Sequence, residues 1–214
     1  MRFLVFTLLV SLCVIAVNAN DNVLPEEELL DNVSDSVYIG SESDDSVVLG
    51  DFEERTILSK FYKGLKLALR TLKGVNCSIK EALYIQLAAK SFVADCENCA
   101  VETSKKLTAV IKSCNDVINT VNDIVNYNDN ICNNGNYNDG TDADKPTPSS
   151  CSKKLRSKFN TLNKQSKNTL KLVKKLPDIP GEAGVCVKAS LDALTEAFTL
   201  FPTNVIECSK LTSN

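Results

Sequence analysis

The chain has 214 residues, no histidine and no tryptophan, and its 24 basic and 27 acidic side chains leave a formal charge of −3 at neutral pH. Without histidine, Ser-His-Asp and Cys-His nucleophiles, histidine-zinc hydrolysis and histidine-dependent phospholipase chemistry are all excluded. The small net charge conceals segregation: residues 21–54 hold twelve acids and no base, whereas residues 55–214 hold 23 bases against 15 acids.

At the start, Arg2 precedes an apolar run from Phe3 to Val17, and Val17-Asn18-Ala19 supplies short side chains for cleavage after Ala19. That is the pattern of a secretory signal peptide over residues 1–19. The run is shorter than the ~20 apolar residues of a membrane anchor and lacks basic stop-transfer flanks. The mature protein is therefore expected to be secreted, extracellular and not membrane-spanning. Residues 20–54 read as an acidic disordered segment, with an acidic propeptide as the alternative. Asn32-Val33-Ser34 and Asn76-Cys77-Ser78 are glycosylation sequons, making Asn32 and Asn76 candidate acceptors.

Residues 55–214 are expected to form a disulfide-rich, all-α bundle of about five helices. Leu58, Phe61, Tyr62, Leu65, Ala68, Leu69 and Leu72 recur at helical spacing up to Gly74. Ser78-Ile79-Lys80-Glu81 has the capping-box pattern and predicts the start of a second helix. The third helix, Leu107 to Val125, has the strongest period, and it carries Cys114 on its apolar stripe. A loop dense in Asn, Asp, Gly and Pro follows. A fourth helix is expected from about Cys151 to Leu176, with Leu155, Phe159, Leu162, Leu170, Val173 and Leu176 inward. A fifth runs through Cys186, Ala189, Leu194, Ala197, Phe198 and Phe201, and Pro202 is expected to break it.

Loss of the signal peptide removes Cys13 and leaves Cys77, Cys96, Cys99, Cys114, Cys132, Cys151, Cys186 and Cys208. An even count in an oxidising compartment predicts four disulfides, whose connectivity is open apart from Cys132–Cys151, expected to close the polar loop. Cys96-Glu97-Asn98-Cys99 is a Cys-x-x-Cys, yet Asp95 and Glu97 flank it, and its place at a helix end would raise a thiol pKa. Structural bracing is the reading, not redox chemistry. Zinc would want more thiolates or histidines at suitable spacing, and the Asn-rich loop fails the EF-hand template, although Asp139, Asp142 and Asp144 cluster there. No dinucleotide or P-loop glycine motif and no standout carboxylate pair occurs. The expectation is a non-enzyme with no metal and no cofactor.

Residues 152–175 hold Lys153, Lys154, Arg156, Lys158, Lys164, Lys167, Lys171, Lys174 and Lys175 and no acid. Such a helix either turns a basic face to solvent, covered or not by the acidic segment, or binds an anionic surface. With few interleaved aromatics in an exported chain, nucleic acid is not an expected partner.

The run NDNICNN at residues 128–134 and the ending FPTNVIECSKLTS at residues 201–213 resemble small secreted eight-cysteine helical proteins of dipteran-type insects. The resemblance covers roughly residues 56–214 and rests on cysteine placement. It implies an extracellular, non-enzymatic protein and transfers no functional residue. Insect odorant-binding proteins share the physical design, but the gap between the second and third cysteines is two residues here, and eight cysteines replace six. The leading expectation is a secreted binding protein for a small apolar or lipid ligand. The alternative is a cationic surface-active or host-interaction protein masked by its acidic segment.

Overall fold

The computed structural model describes residues 45–102 and 104–212, with side chains from Thr56 onward. The expected signal peptide over residues 1–19, Asn32 and most of the acidic segment lie outside the described residues. Five long helices account for the fold: α1 (Asp45–Ala68), α2 (Leu72–Asn98), α3 (Lys105–Asn126), α4 (Ser149–Val173) and α5 (Gly181–Cys208). A π-turn, Tyr127–Ile131, extends α3, and a 3₁₀ turn, Ser209–Thr212, follows α5. Among the described residues there is no strand; Thr71 and Pro146 make one isolated antiparallel bridge. The all-α, disulfide-stapled bundle expected from the sequence is the observed architecture.

Several boundaries differ from expectation. The backbone of α1 begins at Asp45, ten residues before Arg55, so the end of the acidic segment is helical. Its other end falls at Ala68, not at Gly74. Thr71, in extended conformation, caps α2 by accepting from the Gly74 amide at 3.3 Å. Ser78 is therefore no cap. It lies wholly buried within α2 and donates back to the Gly74 carbonyl at 2.9 Å. Its capping-box partner Glu81 accepts instead from Asn204 Nδ2 of α5 at 2.8 Å. Gly74 is required by close approach: a Cβ there would sit 1.9 Å from the Ala68 carbonyl oxygen and 2.7 Å from Thr212 Cγ2.

Pro202 does not break α5, which continues to Cys208. Proline removes the amide that would reach the Phe198 carbonyl. Packing outweighs that loss, because Phe198, Phe201, Pro202 and Val205 are all buried and Cys208 is bridged to Cys77.

One continuous core joins the helices. Phe61, Leu65 and Leu69 near the end of α1, Ile85 and Phe92 of α2, and Val110, Val117 and Ile124 of α3 meet Leu155, Phe159 and Leu162 of α4 and Leu194, Phe198 and Phe201 of α5. Full burial of each such side chain stabilises by about 1.5–3 kcal/mol before chain entropy is charged against it. Polar ties set the register. Gln86 Nε2 of α2 donates to the Ile118 carbonyl at 3.1 Å and to Asn122 Oδ1 at 2.7 Å on α3. Ser113 of α3 and Thr169 of α4 share a 2.7 Å hydroxyl bond inside the core.

α4 changes character along its length. Its buried positions run Leu155, Phe159, Leu162, then Asn163, Ser166 and Thr169. Leu170, Val173 and Leu176, expected inward, are only half-buried at the core margin.

Candidate functional site

The cysteines form three bridges: Cys77–Cys208, Cys99–Cys186 and Cys132–Cys151. The last closes the neck of the Asn-rich loop as the sequence suggested. The expected fourth bridge is corrected by the structure, since Cys96 and Cys114 are free and buried. Both stand on the apolar faces of α2 and α3, inside the core cluster, with no sulfur at bonding distance. The two members of the Cys-x-x-Cys thus part ways: Cys99 caps α2 and staples it to α5, while Cys96 turns inward. Burial, then the charges of Asp95 and Glu97, pushes the Cys96 thiol up to about 11. Burial, then Cys96, pushes Cys114 up to about 12. Neither is a nucleophile at neutral pH.

Asn76 stands within α2 beside the bridged Cys77, and its sequon hydroxyl, Ser78, is buried and hydrogen-bonded. The folded protein does not offer that sequon in a surface loop. In the polar loop, Lys145 holds Asp142 at 2.6 Å, and the Asn138 amide also donates to Asp142 at 3.0 Å. These bonds hold the Asp142 carboxyl below its usual range. Tyr137 spends its hydroxyl on Asp139. Among the described residues, no group of three His, Cys, Asp or Glu is placed to hold a metal ion.

At 100° per residue, Lys153, Arg156, Lys164, Lys167 and Lys171 fall within an arc of about 80° on α4, away from Leu155, Phe159 and Leu162, and Lys174 and Lys175 follow its last residue. Lys153, Lys154, Lys164, Lys171, Lys174 and Lys175 are exposed. Lys158 stands apart, 3.6 Å from Asp123 and over the Tyr127 ring. The basic residues singled out in the sequence are thus mostly one solvent-facing strip.

The surface is indented at both ends of α4. Where α4 gives way to α5, a cleft of about 570 Å³ is lined by Val173, Leu176, Ile179, Val185, Val187 and Leu191. Pro177-Asp178-Ile179-Pro180 opens it by holding the two helices apart with a segment that cannot continue α4. Gly181, in the left-handed region at φ 70°, then turns the chain into α5. Gly184 keeps this corner tight: a Cβ there would meet the Ile179 carbonyl oxygen at 1.9 Å. Asp178, Lys188 and Asp192 also line it, the last two paired at 3.2 Å. Val185 is 78% exposed, a large aliphatic side chain left in water beside an apolar hollow. No signal in the sequence marked this cleft, because its lining residues come from a helix end, a proline-bounded connection and a helix start, each unremarkable by itself.

The fold and cleft define a class: a disulfide-stapled helical bundle with a largely aliphatic cleft where α4 gives way to α5. The chain matches no family model, no curated protein and no solved structure.

Proposed function

We propose that the protein is exported and binds a small apolar ligand, such as a fatty acyl chain, in the cleft between α4 and α5. The observation that carries this reading is the 570 Å³ hollow lined largely by aliphatic side chains. That size lies in the range of small-molecule sites, which are mostly apolar with a few orienting polar groups. Each methylene transferred from water into such a lining gains about 0.8 kcal/mol. Export is supported by the N-terminal sequence and by three disulfides, which persist in oxidising compartments. No step of bond chemistry is assigned.

The test is displacement of a fluorescent fatty acid from the purified full chain, with Val185→Asp as the cleft variant. Val185 is exposed, so the substitution spares the core, and a charge in the apolar lining is expected to weaken binding by about tenfold, equivalent to 1.4 kcal/mol. Leu87→Asp, at a 65% exposed position on α2, is expected to change nothing. Absence of binding, or equal weakening by both variants, removes the carrier reading.

A further inference from the structure

We propose that the opposite end of α4 carries a second, chemically distinct site: a cationic cleft that binds a phosphate-type oxyanion, as a free phosphomonoester or as the head of a phosphomonoester lipid. The cleft, about 290 Å³, is lined by Lys66, Leu69 and Arg70 from the end of α1 and by Ser149, Ser152, Lys153 and Arg156 from the first two turns of α4.

The convergence is built by the backbone. Residues 143–147 run along residues 70–73, with the Thr147 amide donating to the Arg70 carbonyl at 2.8 Å. The Leu72 amide donates to Lys145 at 2.9 Å and the Lys73 amide to Ala143 at 3.1 Å. That strap delivers the start of α4 to the end of α1, and it brings two cations from each helix to one hollow.

Four positive charges around a small cleft repel one another. Among the described residues no carboxylate lines the cleft and none of the four cations is ion-paired. Elsewhere on the molecule cations do find partners, as Lys145, Lys158, Lys188 and Lys210 do.

The hollow also faces the start of a 25-residue helix whose N-cap, Pro148, has no side chain to satisfy the first-turn amides. Those amides and their dipole favour an anion at the same place. Arg70 and Arg156 supply planar forks suited to two oxygens of one oxyanion, while Lys66 and Lys153 add point charges. A dianion answers this set better than a carboxylate does. The basic strip along the rest of α4 has neither the second helix nor the concavity.

At 1.5 Å per residue the two ends of α4 are about 35 Å apart, so this cleft and the apolar one are tested independently. The experiment has two arms on the full chain: titration with inorganic phosphate, and co-sedimentation with phosphatidylcholine vesicles with or without phosphatidic acid. Arg70→Gln/Arg156→Gln is expected to weaken binding at least tenfold. Lys164→Gln/Lys171→Gln, which removes the same charge from exposed positions on the same strip, is expected to stay within about twofold. Lys66→Gln/Lys153→Gln provides a second cleft variant should the first fail to fold. Binding of phosphate assigns a free oxyanion, and binding only of phosphatidic acid vesicles assigns a lipid head; each sustains the site if the cleft variants abolish it. No binding in either arm, or equal weakening by the strip variant, overturns it and leaves a diffuse basic face.

Discussion

Cys77 and Cys208 lie 131 residues apart in the chain and 5.7 Å apart at their Cα atoms, joining the start of α2 to the last residue of α5. Nested inside that span, Cys99–Cys186 ties the other end of α2 to the start of α5. The two helices with the most extensive mutual packing are thus closed at both ends, as a ring. With the inner bridge intact, the outer one constrains an unfolded loop of about 45 residues, equivalent to about 4 kcal/mol, while the 19-residue Cys132–Cys151 loop is worth about 3 kcal/mol. Replacing Cys77 and Cys208 by serine should lower stability more than replacing Cys132 and Cys151, measured by reversible denaturant melts. Equal losses would show that the ring does not set the unfolded-state entropy.

Cys96 and Cys114 lead to a count and a pH dependence. A maleimide should label neither thiol in the native protein and both after unfolding; no label after unfolding would mean a fourth bridge. Their folded pKa values, about 11 and about 12, lie above the ordinary 9.0 of an exposed thiol. The native state therefore keeps protons that the unfolded chain releases. Below pH 9 both states are protonated and the pair's contribution is intact. Between pH 9 and about 11–12 only the unfolded chain ionises, so stability is lost as pH rises. Cys96→Ala/Cys114→Ala should flatten this alkaline decline relative to the parent, by up to two protons in slope. An unchanged slope would assign the decline to other groups.

How much of this was legible follows from what a one-dimensional pattern encodes. The stripe Leu107, Val110, Cys114, Val117, Val121 and Ile124 is a single-helix property, and it is buried as the spacing predicts. The Cys132–Cys151 bridge was readable because both cysteines flank a short loop. Boundaries decided by tertiary contact were not: Ser78-x-x-Glu81 has the local chemistry of a cap, but Thr71 takes that role once the strap at residues 143–147 packs against the end of α1. Pro202 likewise reads as a breaker until the buried aromatic cluster around it is seen. The basic residues of α4 were visible as a run. That Arg156 shares a hollow with Arg70, 86 positions earlier, has no sequence signal at all.

Gly74, like Gly184, sits where the backbone leaves no room for a Cβ. A methyl group there collides with the Ala68 carbonyl and Thr212, so Gly74→Ala should destabilise at the upper end of the 1–3 kcal/mol typical of overpacking. At Gly64 the nearest atoms, those of Ile206, are 3.1 Å or more away. Gly64→Ala should cost clearly less, since helix propensity gained by alanine offsets part of the crowding. Thermal melts of the two variants compare them directly; a larger loss at position 64 would contradict the packing described at the α1–α2 turn.

Asn163 is the opposite case, a buried position where a larger apolar side chain should help. It is 1% exposed on α4, and neither its Nδ2 nor its Oδ1 has a protein hydrogen-bond partner. Leaving an amide buried and unpaired costs about 1–3 kcal/mol, whereas replacing it by an apolar group of similar shape removes that cost. The adjacent polar positions differ, because Ser166 bonds to the Leu162 carbonyl at 2.9 Å and Thr169 bonds to Ser113. Asn163→Leu should therefore stabilise by about 1–3 kcal/mol, and Thr169→Val should destabilise by removing the acceptor of the buried Ser113 hydroxyl, which keeps only a 3.5 Å bond from Asn168 Nδ2. Raised stability in the first variant with lowered stability in the second separates a mismatched polar residue from a working polar tie. A loss in both would mean that Asn163 is satisfied through solvent and belongs to one network with Ser113 and Thr169.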